Sequence, residues 1–216
     1  MKRNSILVLA MVCWVAAVSA QAVQHISIEE LRALELPDVR IESAEAVVPQ
    51  ADDSKTVAHV VVTGRIGGTL GFELLLPEAW NERFVMGGGG GFSGVIQNAA
   101  RNTVLSGYAT VGTDTGHQWP TGYLAGWAQD NLEAQLNFGY LAVHRTAAVA
   151  KAIIAAYYGQ KPTYSYFVGC SRGGGQAMME SQRFPEDFDG IVAGAPAFDW
   201  TGFGASMVAI AQALYP

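Results

Sequence analysis

Gly169-Cys170-Ser171-Arg172-Gly173 is the segment whose residue types and spacing point most directly to chemistry. It fits G-x-S-x-G and lies between a predicted strand and a predicted helix, the context of a nucleophile elbow. The turn from strand into helix is so tight that the serine backbone is strained, and a side chain at either flanking glycine would collide with a neighbouring element. The serine hydroxyl then projects into the cleft, where the N–H groups and dipole of the following helix favour an oxyanion. The implied chemistry is acyl transfer with Ser171 as nucleophile and the Arg172 N–H as one oxyanion donor. A second donor has to come from the loop after an earlier strand. The run of glycines at 87–91, directly after a predicted strand at 83–86, is placed for that, because glycine lets a peptide approach the substrate closely and turn its N–H inward. Gly89, Gly90 and Gly91 are the candidates, with no preference among them.

Such a serine also needs a general base, usually histidine, and a carboxylate to orient it, and in the α/β-hydrolase order both follow the serine. Here His25, His59, His117 and His144 all precede it. His144 falls mid-helix, where a solvated or packed ring is expected, and His25 and His59 fall in an extended tail and a strand. His117, in Thr113-Asp114-Thr115-Gly116-His117, is the one near a strand end. The downstream acids Glu186, Asp187, Asp189 and Asp199 come too soon in the fold. The expectation is therefore a base outside this chain. A rival reading takes Gly89, Gly91 and Gly94 as G-x-G-x-x-G after a strand, with Asp114 about 20 residues on, as a dinucleotide site requires. It leaves the elbow unexplained, and an exported protein rarely meets soluble NAD. A further alternative is a non-catalytic binding module that keeps the elbow as scaffold.

The elements that must position these residues follow from periodicity. Residues 58–65 and 70–76 are β-branched and leucine-rich runs separated by Gly67-Gly68, which predicts a hairpin. Two further short strands are expected at 83–86 and 109–113. Apolar residues recur at steps of three and four from Leu132 to Tyr157, predicting one long helix capped by Asp130 or Asn131 and closed by Gly159 and Pro162. A strand at 164–168, a helix at 173–182 and a strand at 190–195 complete the alternation. The fold class is α/β: a mostly parallel sheet with helices on both faces and an antiparallel edge hairpin, with ligands at the carboxyl ends of the strands. Residues 27–34 form a short amphipathic stretch with a Ser cap, and no function is assigned to it.

Composition narrows the classes. The chain has 216 residues, half of them hydrophobic and 15% charged, which excludes a disordered chain and allows a sizeable core. Acid outnumbers base without any Lys/Arg cluster, against a nucleic-acid partner. The 25 glycines follow no short period, so collagen-like and repeat architectures fail. Lys2 and Arg3 precede an apolar run at 6–18, and Val18-Ser19-Ala20 offers the small residues that a signal peptidase reads. Residues 1–20 read as a cleaved signal: the apolar run is short for a bilayer span, and Val12 before Cys13 does not suit a lipoprotein cleavage site. The expected product is secreted or periplasmic with no membrane anchor, and its net charge moves from −6 to −8. Cys13 leaves with the signal, so Cys170 remains as a lone thiol in an oxidising compartment, where a partner is expected.

The segments 87–94 (GGGGGFSG), 108–117 (YATVGTDTGH), 138–158 and above all 166–197 (YFVGCSRGGGQAMMESQRFPEDFDGIVAGAPA) resemble the tannase and feruloyl esterase family. The resemblance runs over roughly residues 30–216 and corresponds to the first part of a family member. It implies an α/β-hydrolase acting on small-molecule esters of aromatic acids, with Ser171 as nucleophile and the Arg172 N–H with one from Gly89 to Gly91 as the oxyanion hole. It implies an aspartate and a histidine far downstream, beyond a lid domain that commonly holds structural calcium. It also implies a disulfide from Cys170 to a cysteine after that histidine. No cofactor or metal is expected in this chain. Its expected organisation is a signal at 1–20, an N-terminal extension at 21–57, a partial hydrolase core at 58–197, and the start of the lid region at 198–216, short of the last strands.

Overall fold

The computed structural model describes residues 25–50, 55–118 and 125–215, so the signal read at 1–20 lies outside the described residues. Seven strands form one sheet: β1 (Val39–Val47), β2 (His59–Ile66), β3 (Leu70–Pro77), β4 (Arg83–Gly87), β5 (Ala109–Thr113), β6 (Tyr164–Cys170) and β7 (Gly190–Gly194). Their spatial order is β1-β2-β3-β5-β4-β6-β7. The pairs β1–β2, β2–β3 and β3–β5 are antiparallel, and the pairs β5–β4, β4–β6 and β6–β7 are parallel. The helices are α1 (Ile28–Arg32), α2 (Leu132–Leu136), α3 (Ala142–Tyr158), α4 (Arg172–Arg183) and α5 (Trp200–Leu214), with 3₁₀ turns at Arg101–Ser106 and Ala125–Ala128.

The order of the parallel strands decides where a ligand can sit. From β4 the chain crosses to β5 on one side, then returns past β4 to β6 and β7 on the other. Right-handed crossovers in opposite directions put their connections on opposite faces. The 3₁₀ turn Arg101–Ser106 therefore lies on one face, while α3 and α4, which touch each other, cover the other. The reversal at β4 opens a crevice at the carboxyl ends of the parallel strands. Gly87 ends β4 there and Cys170 ends β6.

Local sequence accounts for most elements. Ser27 and Glu30 form a reciprocal capping box on α1, with bonds of 2.8 and 3.1 Å. Gly67, at φ 60°, turns the β2–β3 hairpin in a left-handed conformation. Asn131 caps α2 through its side chain, and Gly159 at φ 72° closes α3. The core lies between the sheet and α3, where Phe72, Leu74, Phe84, Met86 and Val111 meet Ile153 and Ile154. Each such side chain contributes about 1.5–3 kcal/mol on burial.

Three elements differ from the sequence reading. The single helix expected from Leu132 to Tyr157 is interrupted by a π turn at Asn137–Leu141, because steps of three and four continue across the one extra residue that a π turn inserts. β1 occupies the stretch read as an N-terminal extension. It is an edge strand with a bulge between Ile41 and Ser43, half exposed, and its few apolar residues give a weak pattern. α5, capped by Asp199, takes up the last stretch, which had no element assigned, and buries none of its residues.

Candidate active site

Ser171 sits between β6 and α4 with φ 58° and ψ −119°, a region that non-glycine residues rarely enter. Such a conformation costs about 1–3 kcal/mol and persists only where surrounding bonds impose it. Those bonds are present: the Ser171 N–H donates to the Gly194 carbonyl at 3.0 Å, and the Ser171 carbonyl accepts from Gly175 at 3.1 Å and Ala197 at 3.0 Å. The flanking glycines are sterically required. A Cβ on Gly169 would run into the Gly173 carbonyl, and one on Gly174 would run into the Gly194 carbonyl. Ser171 itself is exposed, so its hydroxyl opens onto the crevice.

The glycine loop packs on the first turn of α4. A Cβ at Gly88 would come within 2.9 Å of the Gly173 Cα, so only glycine allows this approach. Of the three N–H groups expected to serve an oxyanion, two already have acceptors. Gly89 donates to Gln176 Oε1 at 3.2 Å and Gly90 to Gln97 Oε1 at 2.7 Å. Gly91, at φ 58° and with open space beside its Cα, has no acceptor for its N–H among the described residues. The Arg172 N–H, at the first position of α4, has none within its helix and none among the described residues.

Among the described residues no histidine is hydrogen-bonded to Ser171. His25 stacks on Tyr157 and Tyr158, and His59 pairs with Pro77, both at the sheet edge opposite the crevice. His117 is buried against Trp127, with ring centroids 3.9 Å apart, and burial lowers its pKa. Its neighbour Asp114 does not orient it: that carboxylate, 3% exposed, accepts from the N–H groups of Gly71 and Gly116, each at 2.9 Å, and from Gln118 Nε2 at 2.6 Å. His144 forms a His–Asp pair, with Nδ1 2.6 Å from Asp187 Oδ2 and the ring stacked on Phe184. That pair lies by Glu180, nine residues along α4 from Ser171, which at about 1.5 Å per residue is roughly 13 Å away.

The dinucleotide reading of Gly89, Gly91, Gly94 and Asp114 is corrected here. The glycine loop opens no helix, the next helical turn starting only at Arg101, and the Asp114 carboxylate is committed to backbone and Gln118. A pyrophosphate would lack its helix terminus and a ribose its acceptor.

Several residues at the crevice escaped the sequence reading. Phe92 stacks with Phe138 at 6.0 Å and leans on Trp200 at 6.3 Å, and Trp127 meets Phe138 at 5.1 Å. The Arg172 guanidinium lies over Phe138 at 4.5 Å and faces Trp200 at 5.8 Å, and its Nη2 donates to the Phe138 carbonyl. Phe92 adjoins the glycine run and could have been suspected. Phe138, Gln176 and Trp200 carry no local signal, since only the fold brings them together. Cys170 is an exposed free thiol beside Gly194. Among the described residues no group of three or more His, Cys, Asp or Glu side chains forms a metal site, so the calcium implied by the resemblance finds no donor set here. No helix of the described residues is long and apolar enough to cross a membrane.

Comparison with known proteins agrees with this geometry. A probable feruloyl esterase of Arthroderma benhamiae is 41% identical over 154 residues, covering 68% of this chain and 28% of that protein. A mono(2-hydroxyethyl) terephthalate hydrolase of Piscinibacter sakaiensis is 36% identical over 181 residues, covering 73% of this chain and 30% of that protein. The crystal structure of feruloyl esterase B from Aspergillus oryzae superposes with a TM-score of 0.70 at 29% identity, covering 84% of this chain and 40% of the other. The chain thus spans less than a third of the length of these curated relatives. The family model described as tannase and feruloyl esterase matches residues 54–215, and with an α/β-hydrolase sheet and a strained elbow serine at its switch point, the chain belongs to that family.

Proposed function

We propose that this chain supplies the nucleophile and oxyanion donors of an exported serine carboxylic ester hydrolase acting on esters of aromatic acids. The observation that carries the reading is Ser171, held at φ 58° and ψ −119° between β6 and α4 with its hydroxyl on the crevice. The Arg172 N–H is one oxyanion donor and Gly91 the other, the choice of Gly91 resting on the acceptors already held by Gly89 and Gly90. The rings of Phe92 and Trp200, 40% and 43% exposed at the crevice, suit an aromatic acyl group, and relatives named for feruloyl and terephthalate esters agree with that class. The charged run at 2–3 and the apolar run at 6–18 support export.

In the reaction, Ser171 Oγ bonds to the ester carbonyl carbon as its proton passes to a histidine base. The carbonyl oxygen takes the negative charge and is held by the two N–H groups. The alcohol leaves with the proton from the base, giving an acyl-enzyme, which water cleaves to the free acid. The base and its carboxylate are contributed from outside this chain, a reading supported by His25 and His59 lying at the opposite sheet edge, by His144 being paired with Asp187, and by His117 being buried against Trp127. A disulfide from Cys170 would tie that segment to the elbow.

Ser171→Ala in the protein carrying its downstream segment is the test, with turnover of methyl ferulate as the readout. Activity falls by about four to six orders of magnitude; turnover within tenfold of the parent would sink the assignment. Residues 21–216 alone are expected to show similarly low turnover, and robust hydrolysis by them would overturn the external base.

A further inference from the structure

The glycine run after β4 has no side chains of its own to define its path, and glycine loses more conformational freedom on ordering than any other residue. Its shape is set by what accepts its N–H groups. Gly88 donates to the Val168 carbonyl of β6 at 2.8 Å, Gly89 to Gln176 Oε1 at 3.2 Å and Gly90 to Gln97 Oε1 at 2.7 Å. Gly91 is the first of them whose N–H has no acceptor among the described residues. The Ser93 N–H then donates to the Gly90 carbonyl at 3.1 Å, closing a turn with Gly91 at its first central position, where φ 58° suits glycine. The N–H at that position takes no part in the bond that closes the turn. We propose that Gln176 and Gln97 are positioning residues that fix the Gly91 N–H as an oxyanion donor, by tying the glycine loop to the helix that carries the Arg172 N–H and to the end of β5. The inference rests on the esterase reading above.

The two glutamines hold the loop from different elements. Gln176 lies one turn along α4 from Arg172 and is 7% exposed. Its bond joins the loop to the same helix whose first N–H is the other donor, and Gly88 packs on Gly173 beside it. The spacing between the two donors is therefore held by one short path, from Arg172 through Gln176 and Gly89 to Gly91. Gln97 holds the far side. Its own N–H donates to the Thr113 carbonyl at the end of β5 at 3.3 Å, and the Gly94 N–H donates to the Asp114 carbonyl at 3.0 Å. Only the oxygen of a carboxamide accepts from an N–H, so these bonds fix how both side chains are turned.

With either bond lost, the residues just before Gly91 gain freedom, and the released N–H of Gly89 or Gly90 is left to compete for the oxyanion. Donors help most when they are already aimed, because reorienting them during the reaction costs transition-state stabilisation. Both glutamines act through the loop.

Methionine keeps the reach of glutamine and removes the acceptor, so Gln176→Met and Gln97→Met are the variants to make. In a crystal structure of Gln176→Met the backbone at 89–91 should move or lose order relative to the parent, and a loop that keeps its path overturns the proposal. In the active esterase, Gln176→Met should lower kcat for methyl ferulate about tenfold with KM unchanged, and Gln97→Met, at a half-buried position, about threefold. The double variant should lose no more than the 10²–10³ of an absent oxyanion donor. Affinity for an aryl trifluoromethyl ketone, whose adduct oxygen carries the negative charge, should fall in the same proportion as kcat. His144→Ala is the control for stability alone and should leave both quantities within about twofold. An unchanged kcat in a variant with a displaced loop, or a lower kcat with undiminished affinity for the ketone, overturns the positioning role. If Gln176→Met does not fold, Gln97→Met makes the same comparisons. A parent protein without esterase activity would instead overturn the proposed function, leaving the path of the loop in the variants to decide whether the glutamines hold it.

Discussion

At the amino end of α4 the backbone is strained, Ser171 is exposed, and the N–H groups of Arg172 and Gly91 have no acceptor among the described residues. At its carboxyl end nearly every polar group is matched: His144 pairs with Asp187, Lys151 Nζ donates to the Asp187 carbonyl, and the Asp189 carboxylate accepts from the Ser165 N–H at 2.7 Å. Both ends carry titratable and polar side chains. The difference lies in what the polar groups face. One end is held out of its preferred conformation, with donors that have no acceptor among the described residues, the arrangement expected of a site prepared for developing charge. The other ends in a closed network that fastens α3 to the loop after α4. Pairing alone does not mark His144 and Asp187 as catalytic, since this pair lies at the end of α4 away from Ser171.

Substitutions at the two ends should separate accordingly. The largest effect is expected for Ser171→Gly, which removes the proposed nucleophile and with it about four to six orders of magnitude in kcat/KM. Glycine also adopts φ 58° without steric cost, so the same variant should unfold at a higher temperature, by about 1 kcal/mol in stability. A variant that loses both activity and stability would mean that the serine conformation is not strained. Next, Gly169→Ala forces a Cβ into the backbone of α4 and should lose about 3 kcal/mol, read from urea midpoints.

Glu180 marks the other end through pH. Its folded pKa of about 8 lies above the ordinary 4.5, so the folded protein binds a proton that the unfolded chain releases. The stability tied to this group is complete below about pH 4.5 and is lost as pH rises toward 8. Glu180→Gln should flatten that slope and gain on the order of a few kcal/mol over the parent at pH 8 relative to pH 4.5. Parallel melting profiles for the two proteins would remove the raised pKa from the account. The smallest effect is expected for His144→Ala, which gives up a partly exposed ion pair and a ring stack for about 1 kcal/mol. In the active esterase it should leave kcat/KM within about twofold, and a collapse in activity would return His144 to consideration as the base.

The elbow was legible because its constraint is local. Gly169 is required by the Gly173 carbonyl four residues on, and the strand and helix on either side show their own periodicity, although Gly173 itself packs on Gly88 and Gly89. The hairpin and β4, β5, β6 and β7 were legible for the same reason. β1 was not, since the alternation of Val39-Arg40-Ile41-Glu42 is thrown out of phase by the bulge between Ile41 and Ser43. The π turn was hidden because one inserted residue leaves the helical pattern intact on both sides, yet it carries the Phe138 carbonyl that accepts from Arg172.

The sequence by itself determined the strand–turn–helix elbow at Ser171, the glycine loop, the parallel sheet that carries both, and the family, since each depends on residue types at short fixed spacing. Tertiary structure decided which glycine of the loop keeps an N–H without an acceptor, what each histidine packs against, and that the Asp114 carboxylate is committed to Gly71, Gly116 and Gln118. Those outcomes depend on side chains as far apart as Gly89 and Gln176 in the chain. Hydrogen bonds are satisfied by proximity in space, and no local pattern in a sequence records which distant donor will take an acceptor first.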